Sequence, residues 1–258
     1  MSIKANQNIG LALGGGAVLG AAHIGVIRAL EESRIPVKYI SGTSIGALVA
    51  AMFAFGKSWK EIRSIAMEVD WIDISRLAFS RNGLLSNKKM GKLITDNLGD
   101  VTFEDTEIPL AIVATDITSG EKVVIKKGSI TTAILASTSI PGLFVPVETD
   151  NRLLVDGGIA ENVPVLSARD MGAEYIIGVD LNAKQNFTKP KNIVQVLINT
   201  VHLTLRNVTQ LQTEEADLLI TPDLSEFDYY HVKQIPELIE KGYAEAMSVI
   251  EKNFDKAN

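Results

Sequence analysis

The fold is decided by residues 9–55, which read IGLALGGGAVLGAAHIGVIRALEESRIPVKYISGTSIGALVAAMFAF. Ile9–Leu13 is a short apolar run that ends in three glycines, a pattern typical of a strand buried inside a parallel sheet. Residues 21–32 then carry apolar side chains at helical spacing, residues 37–40 predict a second strand, and residues 44–55 predict a small apolar helix. This alternation is typical of βαβ units. The sequence therefore predicts an α/β fold with a mostly parallel central sheet flanked by helices.

The rest of the chain continues the alternation around one helical stretch. Further strands are predicted at residues 110–115, 122–125, 153–155, 175–180 and 218–221, and further helices at residues 131–137, 195–212 and 236–254. Residues 57–105 differ from these, because they are helical in pattern, richer in charge and without a clear strand. We expect one domain over residues 1–258, with residues 57–105 as a helical cap region within it.

The composition excludes several classes of protein. The chain has 258 residues, of which 46% are hydrophobic and 22% are charged, as in an ordinary globular protein rather than a disordered or coiled-coil one. Its net charge of −6 argues against a nucleic-acid partner, since nucleic-acid binders usually carry a basic field. The absence of cysteine excludes disulfides and thiolate chemistry, and with only three histidines no histidine-rich metal site is expected.

A local basic segment contrasts with this acidic chain. No apolar run reaches the length of about 18 to 20 residues that a membrane span needs, so we predict a cytoplasmic location. Between Asp73 and Asp96 there is no acidic residue, and residues 76–92 hold five basic side chains interleaved with apolar ones. This composition suits peripheral contact with anionic lipid, at about 1 kcal/mol for each basic residue near the surface. The alternative is a solvated helical insertion whose apolar residues face the core.

A G-x-S-x-G motif, Gly42-Thr43-Ser44-Ile45-Gly46, lies between a predicted strand and a predicted helix. A sharp strand-to-helix turn needs small residues on both sides and presents the serine hydroxyl outward. The N-terminus of the helix supplies unpaired N–H groups and the positive end of a dipole, and both stabilise an oxyanion. The alternative is a structural turn in which Ser44 caps the helix.

A glycine-rich loop, GGGAVLG at residues 14–20, also joins a predicted strand to a predicted helix. A dinucleotide-binding turn needs G-x-G-x-x-G, and either Leu19 or Ala17 stands where one of those glycines is required. A phosphate-binding P-loop needs lysine after its last glycine, where Ala21 stands. The third interpretation is an oxyanion hole made of successive backbone N–H groups. Glycines suit it because they have no side chain and let the substrate come close to the backbone. We expect the two turns to lie side by side at one edge of the sheet.

The third motif is Asp156-Gly157-Gly158, directly after a predicted strand. A carboxylate held by a glycine turn can orient or deprotonate a serine. Because Asp-Gly is also a common turn pair, a plain turn is the alternative, and the motif by itself does not decide between the two.

In their order and intervals, the glycine loop, the G-x-S-x-G motif and the D-G-G motif together resemble the patatin-like phospholipase family. The connecting sequence agrees with this resemblance at residues 22–26 (AHIGV), within residues 136–147 (ASTSIPGLFVPV) and at residues 162–164 (NVP). The resemblance covers residues 9–180 and is specific, because three ordered motifs match in their context.

The resemblance implies the patatin-like fold and hydrolysis of a lipid acyl ester through an acyl-serine intermediate, as a phospholipase A or lysophospholipase performs it. It implies Ser44 as the nucleophile and Asp156 as its general base. The oxyanion hole implied by the resemblance consists of the N–H groups of Gly15, Gly16, Ala17 and Ile45. No metal or organic cofactor is implied, and the expected partner is a lipid or another acyl ester.

Two residues depart from the family's pattern. Leu19 stands where the family usually has a basic residue, which puts the rate or the substrate headgroup in question. Ala17 stands where a further glycine is frequent, a mild change if its φ is negative. Because of Leu19, a regulatory or scaffold protein with weak activity is one alternative to a hydrolase. A second alternative is an acyltransferase, which passes the acyl group to an acceptor other than water.

The three histidines offer a further alternative. Ser44, Asp156 and either His202 or His231 follow the chain order of the triad in α/β-hydrolases. His23 lies near the glycine loop, where we expect it to pack or to form a hydrogen bond rather than to act as a base. Our prediction is that no histidine is essential.

Overall fold

The computed structural model describes residues 7–68, 86–186, 189–190, 193–229 and 231–254. The strands are β1 (Ile9–Leu13), β2 (Val37–Thr43), β3 (Leu110–Asp116), β4 (Lys122–Ile125), β5 (Val147–Thr149), β6 (Arg152–Asp156), β7 (Tyr175–Val179) and β8 (Leu218–Ile220). The helices in the described part are α1 (Ala21–Glu32), α2 (Ile45–Ala54), α3 (Trp59–Glu68), α4 (Lys88–Leu98), α5 (Ile130–Ser137), α6 (Val165–Arg169), α7 (Ile193–Thr213) and α8 (Ile235–Asn253). Short 3-10 turns occupy Ala17–Gly20, Phe103–Asp105, Gly157–Ile159 and Val232–Gln234.

The strands form one mixed sheet in the order β5-β6-β3-β2-β1-β7-β8, with β4 paired to β3. The central pairs β3-β2, β2-β1, β1-β7 and β7-β8 are parallel. The pairs of β3 with β4, β3 with β6, and β5 with β6 are antiparallel. The prediction of a mostly parallel sheet flanked by helices is confirmed. Because the chain runs outward from β1 to β2 on one side and to β7 on the other, the crevice beside β1 is where such sheets place ligands.

Strand β1 is buried on both faces, and its alternating residues explain the two layers around it. Leu11 and Leu13 belong to the larger core, together with residues of α1, α2 and α8. Ala12 faces the smaller core with Val165 and Ala168 of α6. Small residues on the second face therefore let a short helix lie close to the sheet.

Helices α1 and α8 cross at two glycines. A Cβ atom at Gly25 would overlap the carbonyl oxygen of Ile239, and a Cβ atom at Gly242 would overlap the carbonyl oxygen of Ala22. The two backbones can approach this closely only because neither residue has a side chain. This contact fixes α1, and thereby the end of the glycine loop that precedes it.

Most predicted elements have the expected type. The bounds of β1, α1 and β4 agree with the prediction, and residues 57–105 contain α3, α4 and a 3-10 turn. The sequence did not predict β5 and α6, which have only three and five residues and are too short for a repeating hydrophobic pattern. Within the basic segment 76–92, residues 76–85 lie outside the described residues.

Candidate active site

The three motifs meet at one place because of the strand register. Leu13 of β1 pairs with Gly42 of β2, so the glycine loop and the G-x-S-x-G turn emerge side by side, as expected. One strand further, Thr43 pairs with Val113 of β3. On the other side of β3, Ala114 pairs with Asp156 of β6, which approaches from the opposite direction because β6 is antiparallel.

Ser44 and Asp156 contact each other directly. The Ser44 hydroxyl donates to Asp156 with 2.6 Å between Oγ and Oδ2, and each residue is only 8% exposed. The second carboxylate oxygen, Oδ1, accepts from the N–H of Gly158 at 2.8 Å. The D-G-G turn thus holds one oxygen of the carboxylate and presents the other to the serine.

Burial adjusts the acidity of this carboxyl group. Desolvation raises the pKa of Asp156 from 3.8 to about 6, and the hydrogen bonds from Ser44 and Gly158 oppose this increase. A carboxylate with a pKa near 6 is ionised at neutral pH and is a stronger base than an exposed aspartate.

The backbone at Ser44 is strained, as in a sharp turn that exposes a nucleophile. Its φ and ψ are 55° and −128°, and the residue stands immediately before helix α2. A Cβ atom at Gly42 would lie 2.6 Å from Ala47 Cα, and one at Gly46 would overlap the carbonyl oxygen of Leu13. The flanking glycines of the motif are therefore required by close backbone contacts.

Ser137 holds this turn in place, and the sequence analysis assigned it no role. Its hydroxyl accepts from the Ser44 N–H at 2.8 Å and donates to the carbonyl oxygen of Val113 at 2.6 Å. Ser137 belongs to no motif for a turn or a nucleophile. The signals that could have suggested it are its position at the end of a predicted helix and its place in the segment 136–147, which agrees with the family resemblance.

Most amides of the glycine loop are engaged in hydrogen bonds. Gly14 donates to Val179 O, Gly15 to Asn162 O, Val18 to Tyr229 O and Leu19 to Gly16 O. In the described part of the chain, the N–H groups of Gly16 and Ala17 have no partner, and neither does that of Ile45 in the first turn of α2. The Gly15 amide, which we expected among the oxyanion donors, is bonded to Asn162 with 3.3 Å between N and O.

The structure shows the conformation of Ala17, the burial of Leu19 and the contact of His23, the three residues in and near the glycine loop that the sequence singled out. Ala17 has a φ of +50°, so the condition for a mild replacement of glycine is not met, and the residue adopts a left-handed conformation that glycine takes with less strain. Leu19 is fully buried in the larger core. His23 lies 2.7 Å from Gly14 O through Nε2, and burial lowers its pKa to about 4, which makes it a neutral donor at neutral pH.

The other histidines do not complete a triad in the described part of the protein. Asp156 contacts Ser44 with no imidazole between them. His231 has a side chain 79% exposed, and its Nδ1 lies 3.9 Å from Asp228 Oδ2. The side chain of His202 lies outside the described residues.

An apolar cavity of about 30 Å³ is lined by residues that include Ala17 and Ile45, whose amides are unpaired in the described structure. Ala17 and Ile45 line one part of it, and Leu48, Val49 and Met52 continue along the same face of α2. The other lining residues are also apolar and come from the 3-10 turn after β1 and from α1, α3, α4 and α8: Val18, Gly20, Ala21, Ile24, Ile62, Ile65, Ala66, Leu93 and Ile235. From Ile45 to Met52 this face extends about 10 Å.

An exposed apolar loop lies next to the site. Residues 140–145 (IPGLFV) follow α5, and Ile140, Leu143 and Val145 are each 38% exposed. The loop is connected to the start of α4, because Asn87 Nδ2 donates to Ser139 Oγ at 3.1 Å and to Val145 O at 3.4 Å. Among the described helices, none has both the length and the apolar composition that a bilayer-spanning helix requires.

The fold and the site define an α/β protein with a buried serine–carboxylate pair beside a glycine loop. A model of the patatin-like phospholipase family matches residues 11–169, and the chain belongs to that family.

Similar proteins support the same assignment. An uncharacterized NTE family protein of Mycobacterium tuberculosis (strain ATCC 25618 / H37Rv) is 37% identical over 185 residues, which are 70% of this chain and 51% of that protein. Neuropathy target esterase sws of Drosophila melanogaster is 34% identical over 188 residues, 70% of this chain and 13% of that protein. The chain thus spans about half the length of the mycobacterial relative and a small part of the fly protein.

Solved structures share the fold at low sequence identity. VipD from Legionella pneumophila aligns with 98% of this chain and 70% of its own, at a TM-score of 0.60 and 15% identity. The type III effector protein ExoU aligns with 96% of this chain and 53% of its own, at a TM-score of 0.54 and 16% identity.

Proposed function

We propose that this protein is a lipid acyl hydrolase that uses Ser44 as its nucleophile and Asp156 as its general base. The observation that carries the proposal is the buried hydrogen bond between the two side chains, with 2.6 Å between Oγ and Oδ2. It is supported by the strained serine turn and by unpaired amides beside it.

The reaction proceeds in two transfers of the acyl group. Ser44 Oγ attacks the ester carbonyl carbon while its proton passes to Asp156, giving a tetrahedral oxyanion. The bond to the alcohol breaks, the alcohol oxygen takes the proton from Asp156, and an acyl-Ser44 remains. Water then attacks the acyl carbon and gives a proton to Asp156. The second tetrahedral oxyanion collapses, the carboxylic acid leaves, and Ser44 recovers its proton from Asp156.

The developing oxyanion needs donors that are not already occupied. In this proposal the donors are the backbone N–H groups of Gly16, Ala17 and Ile45, because none of these groups has a hydrogen-bond partner in the described structure. The sequence predicted Gly15 as a further oxyanion donor, but in this proposal it has a different role. Its N–H is bonded to Asn162, and a Cβ atom on Gly15 would lie 3.2 Å from Ser44 Cβ, so the residue provides space beside the nucleophile.

The apolar cavity gives the acyl group a place to bind. Ala17 and Ile45 line it, and every other residue that lines it is also apolar. A hydrocarbon chain gains free energy by leaving water for such a surface, whereas a charged headgroup does not. The enclosed space of about 30 Å³ is only about the volume of one water molecule, so the proposal requires the lining side chains to move apart when the acyl chain binds along this apolar face. The headgroup is then placed on the solvent side of the serine.

We also propose peripheral contact with a lipid surface near the basic segment 76–92. The described end of this segment includes Lys88, Lys89 and Lys92, although Lys92 also forms an ion pair with Asp96 at 2.7 Å. Support comes from the adjoining loop 140–145, which exposes apolar side chains beside Asn87 and the start of α4. Basic and apolar residues side by side are the combination that anionic bilayers bind.

The test is release of fatty acid from a diacyl phospholipid and from its lysophospholipid, measured for the wild type and for Ser44→Ala. Ser225→Ala is the matched control, because Ser225 also donates to an aspartate at 2.7 Å, but that aspartate, Asp223, is exposed and Ser225 is only half-buried. We expect activity in the wild type and in Ser225→Ala and its loss in Ser44→Ala.

Wild-type protein that is folded but releases no fatty acid from any ester would contradict the proposal and favour a regulatory role. A product formed on an added alcohol acceptor, in place of free fatty acid, would replace hydrolysis by acyl transfer.

A further inference from the structure

Asn182 reaches the glycine loop from the end of strand β7, the neighbour of β1. Its Nδ2 donates to the carbonyl oxygen of Gly15 at 2.8 Å, and its Oδ1 accepts from the hydroxyl of Tyr229 at 3.0 Å. Its own backbone N–H donates to Asp180 Oδ1 at 2.8 Å. Since a carbonyl oxygen can only accept, the amide orientation of Asn182 is determined by Gly15.

The Gly15 carbonyl group belongs to the same peptide unit as the Gly16 N–H. In a trans peptide these two groups point in opposite directions within one plane, so a bond that holds the carbonyl also directs the N–H. The Gly15 N–H is held separately by Asn162 O at 3.3 Å. The Gly16 N–H has no partner in the described structure, and it is one of the amides we assign to the oxyanion hole.

Two consecutive glycines give this peptide unusual rotational freedom. A Cβ atom at Gly16 would lie 2.9 Å from Leu181 Cδ1 and 3.3 Å from Leu181 Cβ, so a side chain there would crowd Leu181, and with glycine the loop gains no stiffness from a side chain of its own. Preorganised donors stabilise an oxyanion because they need no reorientation during the reaction. Something outside the loop must therefore restrain the peptide between Gly15 and Gly16.

We propose that Asn182, supported by Tyr229, is a positioning residue that directs the Gly16 N–H toward the oxyanion. This inference rests on the proposed function and adds to it a residue that contacts neither Ser44 nor Asp156. The donated hydrogen bond also polarises the peptide, which makes the Gly16 N–H a better donor. Tyr229 contributes in a second way, because its backbone carbonyl accepts from the Val18 N–H at 3.2 Å.

The experiment compares steady-state hydrolysis by the wild type, Asn182→Leu and Tyr229→Phe. Asn182→Leu removes the donor at similar volume, and we expect kcat to decrease about tenfold or more, less than for a lost oxyanion donor, while KM changes less than about twofold. Tyr229→Phe keeps the aromatic ring and the backbone hydrogen bond to Val18, so we expect a smaller decrease in kcat than for Asn182→Leu. The apparent pKa in the pH profile should not move, because the contacts of Asp156 are unchanged.

Asn253→Leu is the matched control. Asn253 also donates through Nδ2 to a backbone carbonyl at 2.8 Å, that of Val249 in α8, and we expect its kcat to equal the wild-type value. A trifluoromethyl ketone analogue of the ester adds a second readout. Its affinity should decrease in Asn182→Leu by the same factor as kcat/KM, since both report binding of the tetrahedral oxyanion.

An active wild type together with full kcat in folded Asn182→Leu would overturn the inference and leave the proposed function intact. So would a loss confined to KM, or a loss accompanied by a shifted pH profile. An inactive wild type would instead contradict the proposed function. If Asn182→Leu does not fold, Tyr229→Phe decides: an unchanged kcat and an unchanged affinity for the ketone would then overturn the inference.

Discussion

Ser44 and Asp156 are 112 residues apart in sequence and share one buried hydrogen bond, with 2.6 Å between the hydroxyl and the carboxylate oxygen. The carboxylate is held from behind by Gly158, and burial raises its pKa to about 6. Because no third side chain stands between them in the described structure, the protonation state of Asp156 governs the reactivity of Ser44.

The first prediction concerns pH. Asp156 must be ionised to accept the serine proton, so we expect kcat/KM to increase with pH and to level off above about 6.

Asp156→Asn should lose hydrolysis yet gain stability. An acid whose pKa is raised by folding destabilises the fold when ionised, and this cost develops as the pH increases from about 4 to about 6. At about pH 8 the variant should gain about 1 to 3 kcal/mol in the free energy of unfolding.

Urea denaturation of both proteins at about pH 4 and about pH 8 measures this gain. The difference between them should be largest at the higher pH, where only the wild type carries the buried charge. Equal stabilities at the higher pH, together with kcat/KM that does not vary with pH, would contradict the assignment of the base.

The second prediction concerns Ser137. Ser137→Ala leaves the Ser44 N–H without a partner in a buried turn, which we expect to decrease kcat about tenfold and stability by about 1 to 3 kcal/mol. Ser167→Ala is the control, since Ser167 is also buried and donates at 2.6 Å, to Glu161. Thermal unfolding and ester hydrolysis should show lower stability in both variants but lower kcat only in the first. Similar kcat values for the two variants would contradict the role of Ser137.

The third prediction concerns the apolar cavity. Val49→Phe places a larger side chain in the wall of the cavity and fills part of it, so we expect lower kcat/KM for long-chain esters and a much smaller effect on acetate esters. Val208→Phe is the same substitution at a position 38% exposed on α7 and should leave both rates unchanged. A series of nitrophenyl esters of increasing chain length provides the measurement. An equal decrease for all chain lengths would argue against an acyl-binding cavity.

The fourth prediction concerns the lipid surface. Leu143→Asp places a charge in the exposed apolar loop, and we expect it to weaken sedimentation with vesicles that contain anionic phospholipid. Leu211→Asp makes the same change at a position 67% exposed on α7 and should bind as the wild type does. Charge reversal at Lys88, Lys89 and Lys92 should also weaken sedimentation with these vesicles. Unchanged binding in both altered proteins would remove the lipid surface from the proposal.

Much of the site could be predicted because each motif combines a strand end with glycines. Ser44 and Asp156 lie together as the motifs suggested, since Gly42, Gly46 and Gly158 make the turns that bring them there. The continuous apolar run of β1 and the helical spacing of α1 are likewise local properties, which is why their bounds agree with the prediction.

The remaining contacts are set by residues that are distant in sequence and carry no motif. Ser137 lies 93 residues from Ser44, and Asn182 lies 167 residues from Gly15. Nothing in the local sequence showed that the Gly15 amide would be bonded to Asn162, or that β6 would be antiparallel to β3. These features depend on strand order, which a single sequence does not contain.

The most direct test of the Ser44–Asp156 pair is covalent labelling with a fluorophosphonate, followed by intact mass and peptide mapping. We expect one adduct per chain on Ser44 in the wild type and in Ser225→Ala, no adduct in Ser44→Ala, and slow labelling in Asp156→Asn. A folded wild type that gains no mass, or an adduct that persists in Ser44→Ala, would contradict an activated serine at this site.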